Sequence, residues 1–362
     1  MPESSKALRH LRVDRPAVAT ASGEPREKKH TVSLIPGDGI GEEVADAVVR
    51  VVAATGVSLG WDRCVSGQRA LPRFGTPLPE PLIESILKHR VALKGRISAP
   101  MKSGGSESPN VALRKRLNLF ASVRPAVNLP GLKSRYDGID LVVIRECTED
   151  LYAGIEHEVV PGVVESLKVI TEAASARIAR FAFDYAARHG RQSVTCVHKA
   201  NIMKMSDGLF LDCVRKVAAG HPGISYRELI ADNCVMQLVL NPYQFDVLVM
   251  ENMLGDIISD VCAGLVGGLG TVPGINFGDD VVVFEAIHGN APHLEGKDLA
   301  NPLPLLIPAV AMLRRLGEAE AADKIMRGVG LALAEGKSLT PDLGGKATTT
   351  EMVQAIIERL GS

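Results

Sequence analysis

The chain has 362 residues, 46% of them hydrophobic, and a formal net charge of −1. Its length favours two cores over one. Near-neutral charge and sparse aromatics, with one Trp and five Tyr, offer neither the cationic face nor the stacking platforms that nucleic acid requires. No apolar run reaches membrane-spanning length without charges, so no membrane role is expected. The six cysteines form no CxxC and no zinc-like cluster, which fits a reduced, cytoplasmic setting.

Residues 1–30 read as a disordered tail, polar and without the apolar core of a secretory signal. Glu3, Asp14, Glu24 and Glu27 argue against organelle targeting. TVSLIPGDGIG (31–41) predicts a strand, a glycine-rich turn and a helix start, and EEVADAVVRVVAATG carries that helix on with a broad apolar face. A helix over 81–90 and a buried strand at VALKG (91–95) follow. LRKRLNLFASVRP mixes a helix end with an extended exit, and IDLVVIRE (139–146) predicts a strand ending in Arg145 and Glu146. A helix is expected over 163–189, then a strand at SVTCVHK, a helix at 206–219, and a short strand and helix start in ISYRELIADN. FDVLVM (245–250) reads as a buried strand, GDIISDVCAGLVGGLG as a helix ending in flexible glycine, and VVVFEAIHG (281–289) as a strand entering a loop. Helices at 303–316 and 318–336, the TPDLGG loop (340–345) and a closing helix complete the chain. This alternation predicts α/β layers.

Several polar residues stand out against these apolar segments. Asp256 and Asp260, four apart in a helical segment, share one face; their apolar, glycine-rich flanks suit a cleft better than an ordinary exposed acidic pair. Two such carboxylates, with substrate oxygens, suit Mg²⁺ or Mn²⁺. Asp232 is a third candidate that spacing alone does not join to them. Arg114, Arg124 and Arg145 have the forked geometry that binds carboxylates, and three of them suit a substrate with more than one. Surface salt bridges are the ordinary role of each arginine alone, but Arg145 ends an apolar strand. Lys199 and Tyr152 could move protons.

From about residue 31 to the C-terminus the chain resembles the isocitrate/isopropylmalate dehydrogenases, the metal-dependent β-decarboxylating dehydrogenases. RECTEDLYAGIEHE (145–158), KANIMKMSDGLF and GDIISDVCAGLVGGLG are especially similar to NAD-dependent isocitrate dehydrogenases. The resemblance implies a two-domain isopropylmalate dehydrogenase-like α/β fold with a central cleft, not an ordinary Rossmann fold. The large domain would comprise 31–126 plus 277–362, and the small one, 127–276, would dominate the dimer contact. Arg114, Arg124 and Arg145 would clamp the malate carboxylates, and Tyr152 and Lys199 would transfer protons. Lys199 and Asp232 would join Asp256 and Asp260 from the opposite subunit of a homodimer. GDGIG would be a tight turn, not a GxGxxG fingerprint. The cofactor would lie along 285–301, touching His288, Gly289, Ala291 and Asn301.

NADP-dependent relatives commonly carry Lys-Tyr where this chain has His293 and Leu294, and NAD-dependent ones carry Asp-Ile; Leu294 fits the NAD type. Ser108 and Asn110 match the S-x-N of isocitrate enzymes, where isopropylmalate enzymes present apolar residues. The expectation is therefore NAD-dependent oxidative decarboxylation of isocitrate. Glu107, Cys147 and Asn290 depart from the family pattern and leave open another 3-substituted malate: homoisocitrate, isopropylmalate, phosphonomethylmalate or tartrate. A regulatory subunit of a hetero-oligomer would be expected to lack a metal carboxylate, the lysine or a clamp arginine, and none is missing.

Overall fold

The computed structural model describes residues 30–98, 108–287 and 289–361. Of the residues marked above, Glu107 and His288 lie outside the described residues, as does the expected tail apart from His30, which opens the first strand.

The strands are β1 (His30–Ile35), β2 (Leu59–Arg63), β3 (Val91–Lys94), β4 (Ala121–Val127), β5 (Asp140–Glu146), β6 (Glu156–Val160), β7 (Val163–Ser166), β8 (Ser193–His198), β9 (Ser225–Ile230), β10 (Val247–Met250), β11 (Gly274–Phe277) and β12 (Val282–Glu285). Ten form one sheet in the order β2-β1-β3-β12-β11-β4-β5-β10-β8-β9, while β6 and β7 form a separate hairpin. Two parallel blocks, β2-β1-β3-β12 and β5-β10-β8-β9, are joined through β11 and β4, each antiparallel to its neighbours. The blocks therefore run in opposite directions, and the carboxyl ends of β12 and β5 approach the β11–β4 join from opposite sides.

Side-chain alternation on the joining strands decides what reaches that place. On β5, Val142 and Ile144 pack into the core shared with the helix Glu172–Arg188, and Leu141 and Val143 into the core shared with the helix Asn252–Leu265. Arg145 continues the second set. On β4, Val123 belongs to the first core and Ala126 to the second, which sends Arg124 towards the same helix.

The turn after β1 is tight, as expected. Gly37 and Gly39 have φ of 83° and 59°, and a Cβ on Gly39 would lie 1.9 Å from the Asn290 carbonyl oxygen. Only glycine lets this turn approach the loop after β12 so closely. One expectation fails. The helix expected from 163 begins at Glu172, because the valine-rich EVV and VVES segments fold back around Pro161-Gly162 as β6 and β7. Thr171 then starts the helix by accepting the Ala174 N–H at 3.2 Å. β2 was also not foreseen; it pairs in parallel with β1 at the sheet edge. Among the described residues no helix is long and apolar enough to cross a membrane.

Candidate active site

Arg145 is the organising residue. Its side chain is 1% exposed and donates from Nε and Nη2 to Asn252 Oδ1, at 2.9 and 2.6 Å. Nη1 pairs with Asp256, and the guanidinium lies over the Tyr152 ring, 4.9 Å from its centre. Tyr152 donates its hydroxyl to Asp256 Oδ2 at 2.6 Å. Arg124 donates to Ser259 Oγ at 3.0 Å and reaches Asp260 at 3.3 Å and Asp256 at 3.6 Å. The two predicted carboxylates therefore share one helix face, each beside a buried arginine.

Burial opposes ionisation of Asp256, but Arg145, the Tyr152 hydroxyl and Arg124 outweigh it and hold its carboxyl below the ordinary value. Asp260, with Arg124 only partly offsetting its burial, is pushed up. Burial and then the Asp256 hydrogen bond push the Tyr152 phenol up, so it keeps its proton at neutral pH.

Arg114 adds a second buried group. It lies 3.4 Å from Glu285, which also pairs with Lys94 at 3.0 Å. Burial lowers Lys94 and opposes ionisation of Glu285, yet Lys94 and Arg114 together hold this carboxylate well below its usual range. Lys94 also donates to Asn110 Oδ1 at 3.0 Å, and Asn110 Nδ2 donates to the Ile97 carbonyl at 2.9 Å. Ser108, exposed, precedes the helix Pro109–Arg116 that carries Asn110 and Arg114. Lys94 and Glu285 were missed by the sequence reading. Their signal was the one that singled out Arg145: a charge inside the apolar runs VALKG and VVVFE.

Lys199 and Asp232 are together but elsewhere. Lys199 donates to Asp232 at 2.5 Å, and the Asp232 side chain is 71% exposed. Among the described residues, no group of three His, Cys, Asp or Glu side chains could hold a metal ion. One chain thus presents Asp256 and Asp260 as hard oxygen donors, and Asp232 does not complete their set.

The expected cofactor segment leaves β12 as an irregular loop. Ala291 has a left-handed φ of 38° and precedes the turn Pro292–Leu294, with His293 exposed and Leu294 partly packed on the core. Gly289 lies two residues before Ala291. Asn301 is buried, donates to Asp342 Oδ2 at 2.9 Å and accepts the Leu303 N–H at 2.9 Å. Lys297 is the one cation of the segment 285–301 among the described residues, and Asp342, joined to Asn301, offers a carboxylate of the kind that suits a ribose diol.

Gly255 lies on the helix face against Arg145. A Cβ there would lie 2.5 Å from Arg145 Cγ. Gly255→Ala is expected to push Arg145 off Asp256 and lower kcat/KM roughly 100-fold, since small misplacements at a reacting centre are costly. Steady-state kinetics on folded protein checks this, and an unchanged kcat/KM would refute it.

The mixed α/β sheet thus sets two carboxylates among buried arginines beside the join between its two blocks, an arrangement suited to binding an anionic substrate. A family model described as isocitrate/isopropylmalate dehydrogenase matches residues 31–356, and the chain belongs to this family. It is 52% identical over 331 residues to isocitrate dehydrogenase (NAD) catalytic subunit 5, mitochondrial, of Arabidopsis thaliana, covering 91% of this chain and 88% of the relative. It is 48% identical over 319 residues to the chloroplastic 3-isopropylmalate dehydrogenase of Solanum tuberosum, covering 88% and 89%. The crystal structure of isocitrate dehydrogenase from Methylococcus capsulatus superimposes with a TM-score of 0.87 at 46% identity, covering 92% of this chain and all of that one.

Proposed function

We propose that the protein catalyses NAD-dependent oxidative decarboxylation of isocitrate to 2-oxoglutarate and CO₂. The observation that carries this reading is the charge balance of the site. Four cations, Lys94, Arg114, Arg124 and Arg145, face three carboxylates, Glu285, Asp256 and Asp260, a surplus of one positive charge. A divalent cation raises that surplus further, which suits a substrate carrying several carboxylates. Asp256 and Asp260 would hold that cation, and the segment 289–301 would hold NAD.

When bound, the cation supplies Lewis-acid polarisation and the nicotinamide accepts the hydride. The chain's own residues do the rest. Arg114, Arg124 and Arg145 bind and orient the carboxylates, Ser108 and Asn110 read the third carboxylate, and Lys199 Nζ, after passing a proton to its Asp232 partner, takes the proton of the substrate hydroxyl. Tyr152 Oη delivers a proton to the carbon that loses CO₂, a role suited to a phenol that stays protonated at neutral pH.

The working unit is a homodimer in which Lys199 and Asp232 of one subunit complete the site of the other. Exposed apolar side chains support this arrangement. Met253 and Ile257 flank Asp256 on its helix, Met236 follows Asp232, and Ile202 and Met205 follow Lys199. The β6–β7 hairpin exposes four valines and pairs with no other described strand; such a hairpin is marginal without a partner. The domain division proposed is 31–126 plus 277–362 against 127–276, with β4 and β11 as the join where a cleft would close. A reducing, cytoplasmic location is supported by six unpaired cysteines, five of them buried.

Initial rates of NADH formation with Mg²⁺ test the reading, with isocitrate, 3-isopropylmalate, homoisocitrate, tartrate and phosphonomethylmalate compared and NADP⁺ in parallel. The expected result is the highest kcat/KM for isocitrate with NAD⁺. A higher value for another acid would overturn isocitrate and leave the decarboxylating machinery.

A further inference from the structure

Three buried carboxylates that the proposed reaction does not use meet around one ammonium. Asp150, Asp207 and Glu251 are each at most 1% exposed. Lys168 Nζ lies 2.5 Å from Asp207 Oδ1 and 3.9 Å from Asp150 Oδ1, and also donates to Glu251 Oε2. One cation among three buried acids is a costly arrangement unless each group is fastened. Asp150 Oδ1 and Glu251 Oε1 are indeed buried without a hydrogen-bond partner. Burial, ahead of the opposing Lys168 charge, pushes the Glu251 carboxyl up.

Each acid is also tied to a segment of the proposed site. Asp207 Oδ2 accepts the backbone N–H of Lys199 at 2.7 Å. Asp150 immediately precedes the turn Leu151–Ala153 that carries Tyr152, and its Oδ2 accepts the Met253 N–H at 2.7 Å. It does so with a φ of 73°, a conformation rare for a residue other than glycine. Glu251 caps the helix Asn252–Leu265 that carries Asp256 and Asp260, and its carbonyl accepts the Gly255 N–H at 2.9 Å.

We infer that Lys168 is a positioning residue, an internal clamp that fixes the segments bearing Lys199, Tyr152 and the Asp256–Asp260 helix relative to one another. The inference rests on the roles proposed for those residues. It deepens them in one respect. If the dimer shares its sites, Lys199 and Tyr152 of one chain serve different sites, so each clamp ties one centre to the other.

A buried ion pair that merely stabilises the fold would make a different prediction. Lys168→Met, Lys168→Arg and Asp207→Asn are compared with wild type for thermal midpoint, kcat, KM for isocitrate, and exchange of the Lys199 backbone amide. Asp207→Asn keeps the size and an oxygen acceptor for the Lys199 N–H while weakening the tie to Lys168. Lys168→Met and Asp207→Asn are expected to lower kcat roughly 100-fold with KM changed less than about threefold. Lys168→Arg, which keeps the cation, is expected to recover at least about a tenth of the wild-type kcat. Exchange at Lys199 should quicken in Lys168→Met although Lys168 does not touch that amide. A folded Lys168→Met with kcat within twofold of wild type overturns the clamp, as does a loss that Lys168→Arg does not relieve. If Lys168→Met does not fold, Asp207→Asn decides by the same kcat criterion. Should wild type turn over no isocitrate, Lys199 exchange in the variants still reads the clamp, so the two failures are separable.

Discussion

Replacing Arg145 by alanine is expected to lower kcat/KM about 1,000-fold, roughly 4 kcal/mol of transition-state stabilisation. The side chain binds substrate in the proposed reaction and also holds the site together. It is 1% exposed, and it touches Asn252, Asp256 and the Tyr152 ring. Without it, Asp256 loses the cation most responsible for keeping it ionised, Asn252 Oδ1 loses two donors, and the space left invites water. Breaking a buried charge pair on one side costs about 3–5 kcal/mol because the other charge stays behind, so a lower thermal midpoint should accompany the kinetic loss. Arg145→Lys separates the two effects. An ammonium keeps the charge but lacks the planar fork that meets Asn252 through Nε and Nη2 and Asp256 through Nη1, so a folded Arg145→Lys should still lose roughly 100-fold in kcat/KM. Kinetics that return to wild type in Arg145→Lys would mean that charge alone matters and that the fork geometry does not.

Arg145 also marks how far the sequence could be read. A charged residue closing an apolar strand is a local signal, and so is a pair of acids four apart on a helix; both pointed to side chains that the fold brings together. Strand alternation then explains why Arg145 and Arg124 face the same helix, but that needs the pairing of β4 with β5, which no local pattern reveals. The join through β4 and β11 was illegible for the same reason. Residues 120–127 and 274–277 are far apart in the chain and meet only in the sheet. Lys94 and Glu285 were legible and overlooked: each is a charge inside an apolar strand, and their parallel register sets them side by side. The hairpin at 156–166 was hidden by a helical reading of the residues after Val163, although Pro161-Gly162 and the valines on either side favour a turn between strands. The clamp around Lys168 draws on segments beginning at 150, 168, 207 and 251, and only the fold brings these together.

Lys199→Met should abolish turnover while leaving the protein stable. The Lys199–Asp232 pair is exposed, and exposed pairs contribute about 0–1 kcal/mol to stability, so the thermal midpoint should hardly move. Loss of a proton-transfer group costs about 100- to 10,000-fold in rate, and kcat is expected to fall roughly 1,000-fold. Tyr152→Phe should fall about 100-fold on the same reasoning. The mixed dimer is the sharper experiment. If Lys199 of one subunit serves the site that holds Tyr152 of the other, a dimer of one Lys199→Met chain and one Tyr152→Phe chain carries both lesions in one site and neither in the second. Co-expression with two different affinity tags isolates that dimer, which is expected to show roughly half the wild-type rate, one intact site of two. A site built within a single chain would leave every site in that dimer with one lesion, and its rate would stay at the average of the two inactive parents. The proposed shared arrangement has support in what each chain leaves uncovered. Asp232 is exposed and Lys199 half-buried, and exposed apolar side chains lie close in the chain to Lys199, Asp232 and Asp256, so a second copy that covered them would bury apolar surface.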